Sequence, residues 1–212
     1  MPVLNFSGRI ALKRGTLIVF EGIDGTGKST QCELLAKSLN ERQVPNIALA
    51  EPTKGTWGTK IRRLLSEGRE GISREEELSW FINDRKEDIE TNIMPALRDN
   101  KVVIMDRYYF STAAYQGALG LDPEKIRLEN ESFAPIPDRV LIFLTSPEIC
   151  LKRIESSRDQ KSAFEKLDYL INVQKIFKSF AGPNIRFIDS VGSIAEIHKN
   201  VLAETADLFD VK

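Results

Sequence analysis

The sequence is poor in cysteine, in net charge and in long apolar runs, and each shortage excludes a class of protein. Its two cysteines, Cys32 and Cys150, lie in amphipathic helical patterns, so we expect reduced, partly buried thiols. A net charge of -1 over 212 residues argues against a broad basic surface for duplex nucleic acid. No run approaches the roughly 20 apolar residues of a membrane span, and the N-terminus does not resemble a secretory signal. We therefore expect a cytoplasmic protein.

Five short apolar runs alternate with longer helical patterns along the chain. Continuous apolar runs of this length favour strands buried on both faces of a parallel sheet, with helices covering each face. After an N-terminal extension at residues 1–14, we expect one α/β domain at residues 15–212. Its three layers would be a five-stranded parallel sheet and the helices on each of its two faces. The predicted strands cover residues 16–20, 46–50, 101–105, 139–145 and 185–189.

Helix-start signals mark the segments between these runs. Ser73 with Glu76, and Ser193 with Glu196, have the spacing of a capping box, in which serine and glutamate bond each other's backbone. The pattern that begins at Ser73 runs toward residue 100, with a break expected before Pro95 because proline interrupts helical hydrogen bonding. Further helices are predicted at residues 28–42 and 164–180.

A glycine-rich motif, G-x-x-x-x-G-K-S, follows the first predicted strand and opens the first predicted helix. Its backbone N–H groups are suited to surround phosphates, Lys28 can reach the β- and γ-phosphates of ATP, and the Ser29 hydroxyl can ligate Mg²⁺. The alternative is a turn that merely joins strand to helix, but the strand–loop–helix context argues against it. The predicted ATP-binding residues are Gly22, Ile23, Asp24, Gly25, Thr26, Gly27, Lys28, Ser29 and Thr30.

Charged residues follow several predicted strands at their carboxyl ends, which is where open α/β sheets bind ligands. Asp24, Glu51, Asp106 and Arg107 all occupy such positions. Charges there are costly to bury unless a phosphate, a metal or another charge satisfies them. An internal ion pair between Asp106 and Arg107 is the structural alternative to a ligand site.

Four segments together resemble the thymidylate kinase family, in order and spacing. They are EGIDGTGKST at 21–30, EPT at 51–53, FINDR at 81–85, and DRY at 106–108 leading into STAAYQG at 111–117. The resemblance runs from about Gly15 to the C-terminal helix. It implies an enzyme that phosphorylates dTMP to dTDP with ATP and Mg²⁺ in dTTP biosynthesis. It also implies a homodimer, an acceptor-binding region at about 51–117 and a short lid at about 153–165.

The resemblance also implies roles for individual residues. Arg107 would grip the acceptor's 5′-phosphate, for which a guanidinium is suited because it forms two parallel hydrogen bonds. Phe81 would stack on thymine, although core packing is its ordinary explanation. Asp24 would contact the 3′-hydroxyl. The remaining expected acceptor residues are Glu51, Arg85, Ser111, Tyr115 and Gln116, and the expected metal ligands are Ser29 and Asp106.

The transfer step requires a cation beside the moving phosphoryl group. Some members of the family that this chain resembles carry that cation inside the glycine-rich loop. Here the loop has no basic residue before Lys28, so the resemblance implies an arginine from the lid. Arg153 matches a family position near adenine, and Arg158 is the expected transition-state contact, with a solvated helix end as its alternative. The predicted catalytic set is therefore Lys28, Arg107, Arg158 and Asp24.

Some positions depart from the family's pattern. Ala50 stands where the family often has arginine, and residues 53–57 replace its usual Gly-Gly-Thr. Two alternatives remain open on the sequence: another nucleoside monophosphate or deoxynucleoside kinase, and a regulatory protein that binds nucleotide without a second substrate. A nucleic-acid-dependent ATPase is disfavoured by the size and the charge.

Overall fold

The computed structural model describes residues 10–11, 14–154 and 160–211. Arg158, the middle of the predicted lid and most of the predicted N-terminal extension lie outside the described residues. Within that extension, strand β1 (Ile10–Ala11) pairs antiparallel with strand β7 (Asp210–Val211). None of the helices in the described ranges is long and apolar enough to cross a membrane.

A five-stranded parallel sheet forms the centre of the molecule, which confirms the predicted fold class. Its strands have the order β3-β4-β2-β5-β6, and every neighbouring pair is parallel. Each of the five lies within one residue of its predicted ends. The strands are β2 (Thr16–Glu21), β3 (Asn46–Ala50), β4 (Val102–Asp106), β5 (Arg139–Leu144) and β6 (Ile185–Asp189).

Helices surround the sheet and begin where the capping signals predict. Ser193 and Glu196 form the capping box, and the Ser73 hydroxyl accepts the Glu76 amide at 3.1 Å. The break before Pro95 takes the form of a π-helical turn, Ile89–Ile93. The helices are α1 (Lys28–Glu41), α2 (Thr56–Glu67), α3 (Arg74–Asp88), α4 (Met94–Arg98), α5 (Tyr109–Ala118), α6 (Pro123–Glu131), α7 (Pro147–Ile154), α8 (Gln160–Ser179) and α9 (Ile194–Thr205).

Two apolar cores lie on opposite faces of the sheet. Successive strand residues point to opposite faces, so Leu17 and Val19 join a core that includes Phe177 of α8. Ile18 and Phe20 join the other core, to which α1 and α9 contribute Leu35, Leu39, Ile197 and Val201. Both faces of the central strands β2, β4 and β5 are therefore buried, as the uninterrupted apolar runs predict. The strands β3 and β6 are instead partly exposed, because they lie at the edges of the sheet.

The strand registers bring the carboxyl ends of β2, β3 and β4 to one level. Asp106 of β4 lies opposite Phe20 on one side and Ala50 on the other. The residues that follow these strands consequently emerge at the same edge of the sheet. This edge holds the glycine-rich loop, Glu51 and Arg107.

Candidate active site

The glycine-rich loop leaves β2 through a backbone conformation that favours glycine. Gly22 has a φ of 132°, and a Cβ at this position would lie 2.5 Å from the carbonyl oxygen of Phe143 in β5. A side chain here would therefore be both strained and blocked by backbone. Ile23 and Thr26 are buried within the loop, whereas Gly27, Ser29 and Thr30 are exposed at its mouth and in the first turn of α1.

Helix α7 packs directly on this loop. A Cβ at Gly25 would lie 2.7 Å from the carbonyl oxygen of Cys150 in α7. One turn further, Arg153 Nη1 donates a 2.9 Å hydrogen bond to the Gly25 carbonyl oxygen. The structure therefore brings Arg153 to the backbone of the glycine-rich loop.

Lys28 is folded back into the loop. Its Nζ donates to the Ile23 carbonyl oxygen at 2.9 Å, and the Thr26 hydroxyl donates to the same oxygen at 2.9 Å. Burial lowers the pKa of Lys28 to about 8, and the charge of Arg107 adds to the fall. The ammonium group thus lies inside the loop, where an anionic ligand would favour its charged form.

Ser29 and Asp106 lie close together at the mouth of the loop. The Ser29 hydroxyl donates to Asp106 Oδ2. A hydroxyl and a carboxylate are hard oxygen donors of the kind Mg²⁺ takes, and Mg²⁺ commonly adds only one or two carboxylates to phosphate and water ligands. No group of three or more His, Cys, Asp or Glu in the described part of the chain could hold a metal. The donor set therefore fits an ion held mainly by phosphate, not a cage of side chains.

Arg107 follows β4 and lies against the loop. Its Nη1 donates to the Gly22 carbonyl oxygen at 3.2 Å and to Ser111 Oγ at 2.8 Å. Its Nη2 donates to Asp24 Oδ1 and, at 3.2 Å, to the Tyr115 hydroxyl. The charges of Asp24 and Arg107 thus neutralise each other. Asp106 instead accepts a hydrogen bond from Ser29, so these contacts do not include the Asp106–Arg107 ion pair that was the structural alternative.

Glu21, the last residue of β2, is fully buried behind Arg107. Its Oε1 accepts the Tyr108 amide at 2.8 Å and the Ser111 amide at 3.2 Å, and its Oε2 accepts the Ser111 hydroxyl. Burial raises the pKa of Glu21 to about 7, although these hydrogen bonds and the charge of Arg107 oppose the rise. The sequence alone suggested no role for Glu21. The feature that could have revealed one is a charged residue at the end of an otherwise apolar strand.

Arg85 lies in a buried polar network between α3, α5 and α6. Its Nη2 contacts Glu51 Oε2 and donates to Thr112 Oγ1 at 3.0 Å, and its Nη1 donates to Asn130 Oδ1 at 2.6 Å. Arg85 is 1% exposed, and its guanidinium lies 5.2 Å from the centroid of the Tyr108 ring. Burial raises the pKa of Glu51 to about 8, opposed by the charge of Arg85. Asn130 and Thr112 carried no local signal that would have revealed this network.

Two other residues that were predicted to line the acceptor pocket, Phe81 and Gln116, have contacts of their own within the protein. Phe81 is half-buried and packs against a small cluster of Ile61, Leu64 and Trp80, so its ring contacts the α2–α3 interface. Gln116 is buried, and its Nε2 donates to Glu77 Oε1 at 2.9 Å. Arg85 and Phe81, four residues apart in α3, therefore have different surroundings.

Taken together, the fold and this edge of the sheet define a P-loop nucleotide-binding protein, with Arg107 lying beside the loop. The family model for thymidylate kinase matches residues 20–201. The chain belongs to the thymidylate kinase family.

Similar proteins include the thymidylate kinase of Desulfotalea psychrophila, 45% identical over 92% of this chain and 96% of the relative. The thymidylate kinase of Akkermansia muciniphila is 41% identical, with 93% of each chain covered. Among solved structures, thymidylate kinase from Ehrlichia chaffeensis superposes with a TM-score of 0.69 at 28% identity, covering 90% of this chain and 97% of that chain.

Proposed function

We propose that this protein transfers the terminal phosphoryl group of ATP to dTMP, giving dTDP and ADP, with Mg²⁺. The observation that carries the proposal is the position of Arg107, whose guanidinium donates to the Gly22 carbonyl of the P-loop at 3.2 Å. An arginine there places an acceptor phosphate beside the donor triphosphate. Phosphoryl transfer needs such positioning and charge neutralisation more than covalent chemistry.

On the donor side, the P-loop backbone and Lys28 bind the triphosphate. The positive φ values of Gly22, Gly25 and Gly27 allow the loop to turn around the phosphates, and the N-terminus of α1 favours negative charge. Arg153, bonded to Gly25, contacts the nucleotide from α7. Ser29 and Asp106 hold Mg²⁺, with Thr30 next to them, and the ion neutralises phosphate charge when bound.

On the acceptor side, Arg107 exchanges Asp24 for the 5′-phosphate of dTMP. Asp24 is then free to accept a hydrogen bond from the sugar's 3′-hydroxyl, next to Tyr115. Phe81 contacts the base, and the buried network around Arg85 and Glu51 shapes the pocket. Ser111 and Gln116 complete the acceptor set.

Family membership supports a proposal for the wider setting of this reaction. The kinase domain spans residues 15–212 after an extension at 1–14, with an acceptor region at about 51–117 and a lid at about 153–165. Arg158, in the lid segment, contacts the transferred phosphoryl group. The protein acts as a cytoplasmic homodimer in dTTP biosynthesis, with nucleotides as its substrates.

An acceptor panel tests this function. ADP release from ATP and Mg²⁺ is measured with dTMP, dUMP, UMP, CMP or thymidine, using Lys28→Met as the inactive control. dTMP should give the highest kcat/KM, and thymidine should give none because it lacks the phosphate that Arg107 binds. If another monophosphate gives a higher kcat/KM than dTMP, that monophosphate is the acceptor instead. ATP binding with no stimulation by any acceptor would indicate a regulatory nucleotide-binding protein.

A further inference from the structure

Arg107 adopts a backbone conformation that needs support. Its φ is 73°, in the left-handed region that residues other than glycine seldom occupy, and it lies at the turn from β4 into α5. Such conformations persist when surrounding contacts hold them. The Arg107 amide donates to the Phe20 carbonyl oxygen at 2.9 Å, so one support comes from the end of β2.

We propose that Glu21 is a positioning residue for the phosphate-binding arginine: it fixes the Arg107 side chain through the Ser111 hydroxyl and fixes the turn through the Tyr108 and Ser111 amides. The proposal deepens, and rests on, the proposed function, in which Arg107 binds the acceptor phosphate. Glu21 itself does not contact substrate in this arrangement.

The hydrogen bonds have a defined direction. The Ser111 hydroxyl has one proton, and it donates that proton to Glu21 Oε2. Its oxygen is therefore left to accept from Arg107 Nη1, at 2.8 Å. The Glu21 carboxylate thus orients the Ser111 hydroxyl, and the hydroxyl oxygen in turn orients the Arg107 guanidinium. This chain of hydrogen bonds holds the Nη1 edge of Arg107 toward Gly22 and Ser111. The Nη2 edge is left for Asp24 or, in its place, an acceptor phosphate.

The ionised form of Glu21, which prevails above its pKa of about 7, is the form this relay requires, because three donors converge on its two oxygens. Two amides and one hydroxyl donate to the two oxygens of Glu21, so every contact needs an acceptor. Glutamine has the same shape, but its NH₂ group would face one or two of these donors. Glu21→Gln is therefore a nearly isosteric change that disrupts the relay.

The primary experiment measures dTMP and ATP binding separately by calorimetry, with kinetics in parallel. Glu21→Gln should weaken dTMP binding and raise its KM by roughly 10-fold or more, while the ATP affinity stays within about 2-fold. Ser111→Ala should weaken dTMP similarly. Because both changes interrupt one relay, the double variant should be little worse than the poorer single variant.

A purely structural role predicts a different pattern. Glu21→Gln would then lower the melting temperature and weaken both substrates together, and the two changes would be additive; either result overturns the proposal. Glu131→Gln, which removes a carboxylate bonded to Arg127 away from the P-loop, serves as the matched control and should leave dTMP binding unchanged. Should Glu21→Gln fail to fold, Ser111→Ala with unchanged dTMP affinity would overturn the proposal by itself.

A crystal structure of ligand-free Glu21→Gln separates failure of this proposal from failure of the proposed function. The Arg107 guanidinium should leave the Gly22 carbonyl and Ser111 Oγ, whatever acceptor the enzyme uses. An Arg107 that keeps both contacts would overturn the positioning role. Absence of dTMP turnover in the wild-type protein would instead overturn the proposed acceptor.

Discussion

Arg107 and Asp24 form an ion pair across the mouth of the P-loop, so the guanidinium proposed to bind the acceptor phosphate already has an anionic partner. The Asp24 side chain is 61% exposed and that of Arg107 is 17% exposed. Burial would raise the pKa of Asp24, but the charges of Arg107 and Lys28 outweigh it and hold the pKa below its usual value. An ion pair open to solvent on one side contributes little free energy, so a dianionic phosphate can replace the carboxylate.

Arg107→Ala should weaken dTMP far more than ATP. Loss of a charge-assisted, two-point contact to phosphate is expected to raise the KM for dTMP by about 100-fold, with the ATP affinity changed by about 3-fold or less. Arg107→Lys keeps the charge but loses the two-point geometry, so it should give an intermediate KM. Steady-state kinetics with each substrate varied makes the comparison. Equal weakening of both substrates would contradict the assignment.

Arg153 and Arg158 should have separable effects on the ATP side. Arg153 contacts the P-loop, so Arg153→Ala should mainly raise the KM for ATP, by roughly 5-fold, because it removes binding shared by ground state and transition state. Arg158→Ala should mainly lower kcat, by roughly 100-fold or more, if it acts on the transferred phosphoryl group. Single-turnover kinetics distinguish the two. An unchanged kcat in Arg158→Ala would remove that residue from the mechanism.

The sheet and the P-loop could be predicted because their signals are local. Apolar runs specify buried strands, and the glycine-rich motif joins the end of one strand to the start of one helix. Asp122 before Pro123 also had the spacing of a helix start, and its carboxylate caps α6, although that helix was not predicted. Boundaries of this kind depend on a few neighbouring residues.

Partners across the site could not be predicted because they depend on packing between distant elements. Arg85 lies 45 residues from Asn130, and Glu21 lies 90 residues from Ser111. Spacing within α3 predicted one helical face for Phe81 and Arg85, but it could not predict that the first packs against α2 and that the second bonds Asn130 of α6. A helical period specifies a face but not the element that covers it.

Glu21 should make the free energy of unfolding fall as the pH rises from 4.5 to about 7. Burial raises its pKa from 4.5 to about 7, so within this window the folded protein holds a proton that the unfolded chain has lost. Folding is therefore coupled to proton uptake by Glu21, and the free energy of unfolding falls as rising pH removes that proton. Below pH 4.5 and above about pH 7, the contribution of Glu21 to this free energy no longer changes with pH. The charge of Arg107 and the hydrogen bonds from Ser111 and Tyr108 already oppose the rise of the Glu21 pKa.

Urea unfolding of Glu21→Gln across this pH range tests the assignment. The variant should show a flatter dependence of unfolding free energy on pH than the wild-type protein, whatever its absolute stability. Glu129→Gln, an exposed acid of α6, is the control and should retain the wild-type slope. A slope that Glu21→Gln leaves unaltered would assign the pH dependence to other groups.

Removing the buried cation of the acceptor region should be among the most destabilising single changes. Arg85→Met leaves the Glu51 carboxylate buried without its guanidinium and leaves Asn130 and Thr112 without their donor. Breaking a buried ion pair in this way costs about 3–5 kcal/mol, measurable as a lower urea midpoint.

Arg127→Met removes a partly exposed arginine from two ion pairs of α6 and should cost about 1 kcal/mol or less. Adding Glu51→Gln to Arg85→Met should restore part of the loss, since the buried acid that lost its partner is then gone. A double variant less stable than Arg85→Met would show that this buried acid is not the cause.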